Sequence, residues 1–320
     1  MTRFEQPRVA VIGAGAVGSA WATLTVAAGW SVALYDPDSS RLAEGFDALP
    51  GRVRGLVDLG RAHPELAHRG LESLRLGRSL LQAVTDADWI IEAAGDELAP
   101  KQRLLEQVEQ VSRRAATLTS SSSRHHASIL AARLRRPERL LALHPLIPVE
   151  LLPTVEVVPG PATDPTCIED VRFWLGLLGR TPVVLKKEFP GDAGGRIHAA
   201  VFRECIQLVL EDVLDVEDVD RALAHGLGLV FASGGIFRSL LLNGPGLEAD
   251  PIVSRAVTGA EEGWSVLATW QQLSPEEQRR LVHAVEKAYG SATPEAQMER
   301  DRRLRELLIA IQAGEANPAS

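Results

Sequence analysis

Cysteine is scarce in this 320-residue chain. Only Cys167 and Cys205 occur, and neither belongs to a CxxC or Cys/His spacing. A disulfide framework and a structural zinc site are both disfavoured, and no metal is expected. Long apolar runs are missing too, so no segment reads as a membrane span and no membrane partner is expected. The stretch Met1 to Pro7 is polar and lacks a signal-peptide pattern. Together these absences predict a reducing, cytoplasmic setting. Basic residues are in deficit: 34 Lys and Arg against 42 Asp and Glu give a formal charge of −8. That balance argues against nucleic acid as a partner. The remainder is ordinary globular material, 45% hydrophobic and 24% charged, and long enough for two domains with good cores.

The stretch around which the chain is organised is Arg8 to Ala20. Val9 to Ile12 form a short apolar run suited to a parallel strand covered on both faces. Gly13, Gly15 and Gly18 then give G-x-G-x-x-G ahead of a helix with few charges. Gly13 permits the tight turn, Gly15 lets backbone approach a pyrophosphate, and Gly18 lets the helix pack on its strand. The free N–H groups at the helix start, with Ala16 and Val17, would meet the phosphates. A second strand, Ser31 to Tyr35, ends in Asp36. A carboxylate there hydrogen-bonds the ribose and repels a 2′-phosphate, so the cofactor is expected to be NAD rather than NADP. The plainer reading of Asp36 is a turn residue before Pro37.

Residues 39–82 read as helical, with Arg52, Arg54, Arg61 and Arg69 on a solvated face. Asp88 to Ala94 form another apolar strand, ending in Gly95-Asp96-Glu97 at the sheet edge where ligands of open α/β folds sit. A helix follows from Pro100 to Arg114, opened by Lys101. Thr117 to Thr119 lead into four serines, 120 to 123, either a polar linker or part of a site. Arg139 to Leu143 form a strand that ends in His144-Pro145-Leu146-Ile147-Pro148, and Thr154 to Val158 form its neighbour. A lone histidine is more often structural than catalytic. Here the neighbouring strand can bring Glu156 beside the imidazole, leaving the other ring nitrogen for a ligand. Glu169 to Leu178 read as a helix and Pro182 to Leu185 as the last strand. Lys186 to Pro190 mark a composition shift and a linker, dividing the chain into residues 1–188 and 189–320. The second part reads as helical throughout. Gly194 to Val213 form an apolar helix, and Val216 to Ala222 a second, with Asp215 placed to cap it. The expected fold is α/β, a Rossmann-type doubly wound, mainly parallel sheet followed by an all-helical C-terminal domain.

G-x-G-x-x-G with Asp36, the serine run, H-P-x-x-P and the glutamate of V-E-V-V together resemble the 3-hydroxyacyl-CoA dehydrogenase superfamily. Within it they are most similar to the branch of L-gulonate 3-dehydrogenase, lambda-crystallin and carnitine dehydrogenase. Gly226-Leu227-Gly228-Leu229, Leu242-Asn243-Gly244-Pro245-Gly246 and the Glu299 to Arg303 helix extend the likeness through the second domain. The resemblance implies His144 and Glu156 as an acid–base pair and Ser123 as the active-site serine. It also implies Asp96, Lys101 and Ser121 near the cofactor, and a homodimer formed through the helical domain.

Three expected polar groups are missing. Ile147 stands for the asparagine of H-P-x-N-P, and Val230 for the arginine of G-L-G-x-R-W. In Pro190-Gly191-Asp192-Ala193-Gly194-Gly195-Arg196-Ile197, Gly195 replaces the asparagine of P-G-F-x-x-N-R-L. Losing one oxyanion-type donor costs roughly 10²–10³ in rate unless another group replaces it. His125, His126 and His198 are candidate replacements, or else surface and packing residues. Arg124 and Arg238 are new cations, and Arg196 keeps its place. All three are candidates for an anionic small-molecule substrate, with solvated side chains as the alternative. Two functions are compatible with this pattern: an NAD-dependent dehydrogenase of a secondary alcohol, or an NAD-binding protein with little turnover and a structural or sensing role.

Overall fold

The computed structural model describes residues 6–242 and 248–316. By backbone contacts the chain divides into two compact units, residues 1–195 and 196–320.

The first unit alternates strands and helices from its start. The β-branched run becomes β1 (Val9–Ile12), followed by α1 (Ala16–Ala27) and β2 (Val32–Tyr35). Then come α2 (Ser39–Asp58), α3 (Pro64–Ser73), β3 (Arg75–Leu76), α4 (Leu80–Val84) and β4 (Trp89–Glu92). The 39–82 stretch is therefore not one helical segment, as its composition predicts. Gly60, at φ +65°, closes α2, Pro64 starts α3, and a two-residue strand too short to leave a periodic pattern follows. Next are α5 (Leu98–Val111), β5 (Thr117–Ser120), α6 (Ala127–Leu130), β6 (Leu140–Pro145), β7 (Thr154–Pro159), α7 (Pro165–Leu177) and β8 (Thr181–Val184).

These strands form one sheet in the order β3-β2-β1-β4-β5-β6-β7-β8, parallel throughout except where β6 meets β7. The strand order reverses at β1, so a crevice opens beyond the carboxyl ends of β1 and β4. Alternate residues of β1 feed two cores. Val9 and Val11 join one with Leu141 and Val157, while Ala10 and Ile12 join the other with Ile90 and Leu118. Each such buried aliphatic side chain contributes about 1.5–3 kcal/mol. Four tryptophans bind helices to sheet: the Trp89 ring stacks on Trp174 at 5.3 Å and meets Trp21 and Trp30 edge-on.

The second unit is helical. It takes up α8 (Ala193–Leu210), which starts in the first unit, and continues through α9 (Val216–Ala222), α10 (Gly228–Ala232) and α11 (Ile236–Leu242). It ends with α12 (Ala249–Trp264), α13 (Pro275–Tyr289) and α14 (Pro294–Ala316). Asp215 occupies the N-cap of α9, yet its side chain makes no cap hydrogen bond, contrary to expectation. Caps do form at α13, where Ser274 and Glu277 satisfy each other's backbone N–H groups, and at α14, where the Thr293 hydroxyl accepts the Ala296 N–H at 3.2 Å. The Asn243–Gly246 part of the L-N-x-P-G-like stretch lies outside the described residues. Among those described, no single helix is long and apolar enough to cross a membrane; only α9–α10 with α11, bent by 81°, reaches that length jointly.

Candidate active site

The glycine turn is built by close backbone approach. Gly13 sits at φ +106°, and a Cβ there would lie 2.4 Å from the Ala93 carbonyl oxygen at the end of β4. A Cβ on Gly18 would lie 1.8 Å from the Gly13 carbonyl oxygen, so α1 packs on the turn only without a side chain. Gly15 differs, since open space surrounds its Cβ position. It is also the N-cap of α1, and no side chain caps that helix. Backbone donors beside a surface clear of Cβ atoms fit a dinucleotide pyrophosphate. The residues present therefore fit NAD, whose phosphates the backbone of Gly15, Ala16 and Val17 would meet.

Asp36 is nearly buried at the end of β2. Its Oδ2 accepts the Ala14 N–H at 2.9 Å and its Oδ1 the Asp38 N–H at 2.8 Å, with Arg41 3.6 Å away. The carboxylate thus fastens the glycine turn to β2, a task its sequence position does not announce. Each oxygen keeps a second lone pair for a ribose hydroxyl.

The ends of β4 and β5 carry a polar cluster. Lys101 is buried, its ammonium 2.7 and 2.9 Å from the Glu92 carboxylate and 3.2 Å from the Ala94 carbonyl. Its charge is met inside the fold by Glu92, which also accepts from Ser120 at 2.5 Å. Sequence reasoning passed over Glu92, although a carboxylate within an otherwise apolar strand is a signal that it has a partner. The Ser122 hydroxyl donates to Asp96 Oδ1 at 2.5 Å, and Ser121 accepts from the Trp21 indole at 3.1 Å. His125 Nε2 lies 3.1 Å from the Asp96 carbonyl oxygen. Ser123 is exposed, and its hydroxyl makes no hydrogen bond among the described residues. The serine run is therefore divided: 120 to 122 brace the strand ends and 123 faces outward.

At the end of β6, His144 lies directly across the antiparallel ladder from Glu156 on β7. The two are neighbours, as the twelve-residue spacing predicts, but the imidazole hydrogen bond goes elsewhere. His144 Nδ1 is 2.6 Å from Asp192 Oδ2. Glu156 Oε1 instead accepts the Gly194 N–H, in the first turn of α8, at 2.7 Å. Ligand-type atoms of His144, Glu156 and Asp192 all lie within 4.8 Å of one another. His144 Nε2 and Asp192 Oδ1 are buried without a hydrogen-bond partner among the described residues. The buried Arg180 holds the connection from β6 to β7. Its guanidinium donates to the carbonyls of Val149 and Leu152 at 3.1 and 3.2 Å, and to that of Leu178 at 3.1 Å. Burial, and then the like charge of Arg61, push its pKa down to about 10, which leaves it charged at neutral pH.

The substrate candidates are scattered. Arg124 is exposed on the loop after β5, its N–H 3.4 Å from the Ser122 hydroxyl, and Ile147 is exposed in the β6–β7 connection. Gly195 and Arg196 lie in α8, while Val230 in α10 and Arg238 in α11 belong to the second unit. His126 is the N-cap of α6, and His198 stacks on Phe202 at 5.6 Å.

A 3-2-1-4-5-6 strand core with this glycine turn and an acidic residue ending β2 defines a dinucleotide-binding domain of the Rossmann type. Residues 8–189 match the family described as 3-hydroxyacyl-CoA dehydrogenase, NAD binding domain, and the chain belongs to that family as an NAD-dependent dehydrogenase. It is 30% identical to the L-carnitine dehydrogenase of Bacillus cereus, over 94% of this chain and 91% of that one. To the lambda-crystallin homolog of Bos taurus it is 33% identical, over 75% of each. Among solved structures it is similar to 5-formyl-3-hydroxy-2-methylpyridine 4-carboxylic acid 5-dehydrogenase, described as an NAD+-dependent dismutase. That likeness has a TM-score of 0.82 and 25% identity, covering 98% of this chain and 99% of the other.

Proposed function

We propose that the protein oxidises the hydroxyl-bearing carbon of an anionic 3-hydroxy acid, or of a related 3-hydroxyacyl compound, to the ketone, with His144 as the general base. The observation that carries this reading is the buried, unpartnered Nε2 of His144 at the end of β6, on the sheet edge that also bears the glycine turn. The chemistry supplied by bound NAD is acceptance of hydride from the carbinol carbon. Nε2 takes the hydroxyl proton as that carbon is oxidised, and the carboxylates beside the ring stabilise the imidazolium. Ser123, exposed beyond β5, donates a hydrogen bond to the same oxygen. In reverse, the imidazolium protonates the forming alkoxide. Arg124, on the loop after β5, supplies the cation for a substrate carboxylate through paired N–H donors. The carboxylic acid in the name of the dismutase relative supports an anionic substrate, and its formyl group makes aromatic aldehydes a second class to test. Homodimerisation through the second unit belongs to the same proposal. Phe237 in α11 is 78% exposed and Val266, in the turn after α12, is 82% exposed, and such side chains call for a covering surface.

The test is NADH formation with a panel of 3-hydroxy acids, their thioesters and aromatic aldehydes. His144→Ala is expected to lower kcat by about 10²–10⁴-fold while leaving NAD affinity unchanged. Equal turnover by wild type and H144A removes His144 from the chemistry. No NADH from any member of the panel, with NAD still bound, favours the low-turnover reading.

A further inference from the structure

We infer that Asp192, not Glu156, is the carboxylate that positions the His144 imidazole, and that Glu156 serves instead to anchor the first turn of α8. The inference rests on the reading of His144 as the base and specifies how that base is prepared. An ionised carboxylate has no proton to give, so the 2.6 Å contact between Asp192 Oδ2 and His144 Nδ1 requires the hydrogen to sit on Nδ1. In the neutral ring that assignment leaves the lone pair on Nε2, the buried nitrogen without a partner among the described residues. A base with its lone pair on the other nitrogen would have to reorganise before it could act.

The backbone is shaped for this contact. Gly191 at φ +81° and Asp192 at φ +49° both lie in the left-handed region, and the Asp192 N–H returns to the Phe189 carbonyl at 3.0 Å. Left-handed backbone is uncommon outside glycine, with aspartate and asparagine among the tolerated residues. The turn directs a carboxylate that is only 8% exposed at the ring. A buried carboxylate needs a partner, and among the described residues the imidazole is the one it has. Glu156, although directly opposite His144 in the ladder, has its Oε1 drawn 2.7 Å from the Gly194 N–H. A helix-start N–H has no partner within its own helix, so this bond satisfies a donor that would otherwise be left over. Two carboxylates thus divide two tasks, Asp192 in the turn holding the ring and Glu156 on β7 holding the start of the helix that follows.

The experiment is long-range ¹H–¹⁵N correlation of the full chain labelled at histidine, with NAD added, the His144 signals being identified by their loss in H144Q. Wild type is expected to show the Nδ1–H tautomer. Asp192→Asn and Asp192→Gly both accept φ +49° without new strain. They are expected to lose that preference and to lower kcat at least tenfold, with KM for NAD unchanged. Glu156→Gln is expected to keep the Nδ1–H form, because the ring does not depend on it. Retention of the Nδ1–H tautomer in D192G, or its loss in E156Q, overturns the assignment whatever the activity. The tautomer is read without turnover, so it is separable from the role of the base. If D192G loses the tautomer while H144A stays active, Asp192 still positions the ring and only the base reading fails.

Discussion

The two ends of the ligand edge are built by different means. At the β1 and β4 end the decisive contacts are backbone to backbone: Gly13 against Ala93, and Gly18 against the carbonyl of Gly13. At the β6 and β7 end they are made by side chains drawn from residues far apart, His144, Glu156 and Asp192, with Arg180 holding the β6–β7 connection. A site made of backbone tolerates few residue types and leaves a fixed motif. A site made of side chains can be rewired by one substitution, as when an acid on a neighbouring turn takes over a ring nitrogen. The first end therefore kept the family pattern, and the second end is where the chain departs from it.

Arg180 is where this contrast breaks most visibly. Its guanidinium donates to four carbonyls inside the unit, those of Val149, Glu150, Leu152 and Leu178, and Arg180→Ala removes their donor. Buried unsatisfied groups cost about 1–3 kcal/mol each before relaxation, so we expect a net loss of about 3 kcal/mol, measured by urea denaturation. Because the staple holds the β6–β7 connection and not the glycine turn, NAD affinity of the folded fraction should be unchanged. A variant that lost NAD binding in proportion to stability would show that the two ends are not independent.

Asp36 tests the other end through the side chain that fastens its glycine turn. Asp36→Ser removes the charge that disfavours a 2′-phosphate and frees Arg41 from a neighbouring carboxylate. The expected result is a fall of about ten- to a hundredfold in the NAD over NADP preference, the 1.5–3 kcal/mol of a charge-assisted hydrogen bond, read from the two dissociation constants. Some stability should go with it, since the Ala14 N–H loses its acceptor. A preference unmoved by D36S would leave Asp36 with its turn-fastening task alone.

Legibility in the sequence followed the same division. The strand–glycine–helix–strand order, the acid ending β2 and the paired strands carrying His144 and Glu156 were all readable, because periodicity and spacing dictate them. β3 was not, since two residues paired only with β2 carry no period. Nor was the Glu92–Lys101 pair foreseen as a unit, because Lys101 at the start of a helix reads as a cation near the ligand edge. Only the fold shows its ammonium enclosed. Asp192 was the hardest. In the sequence it lies in a turn between a charged linker and an apolar helix, and aspartate in such a turn is unremarkable. Its direction depends on two consecutive left-handed residues, and only Gly191 hints at them.

The finest test separates the glycines of the motif from one another. Gly13 and Gly18 are required by the protein itself, whereas Gly15 has open space at its Cβ position and an ordinary φ of −70°. Gly15→Ala should therefore fold as well as wild type, or better by about 0.4–1 kcal/mol, because alanine restricts the unfolded chain more than glycine does. The added methyl projects where a pyrophosphate would approach the start of α1, so NAD affinity should fall by about tenfold, some 1.4 kcal/mol. Gly18→Ala should lose both stability and affinity together, because its Cβ would lie 1.8 Å from a backbone oxygen that cannot move aside alone. Thermal denaturation of the apoprotein and NAD titration of each variant separate the two roles. If G15A lost stability as G18A does, Gly15 would be a packing glycine, and the open surface above it would no longer support the phosphate assignment.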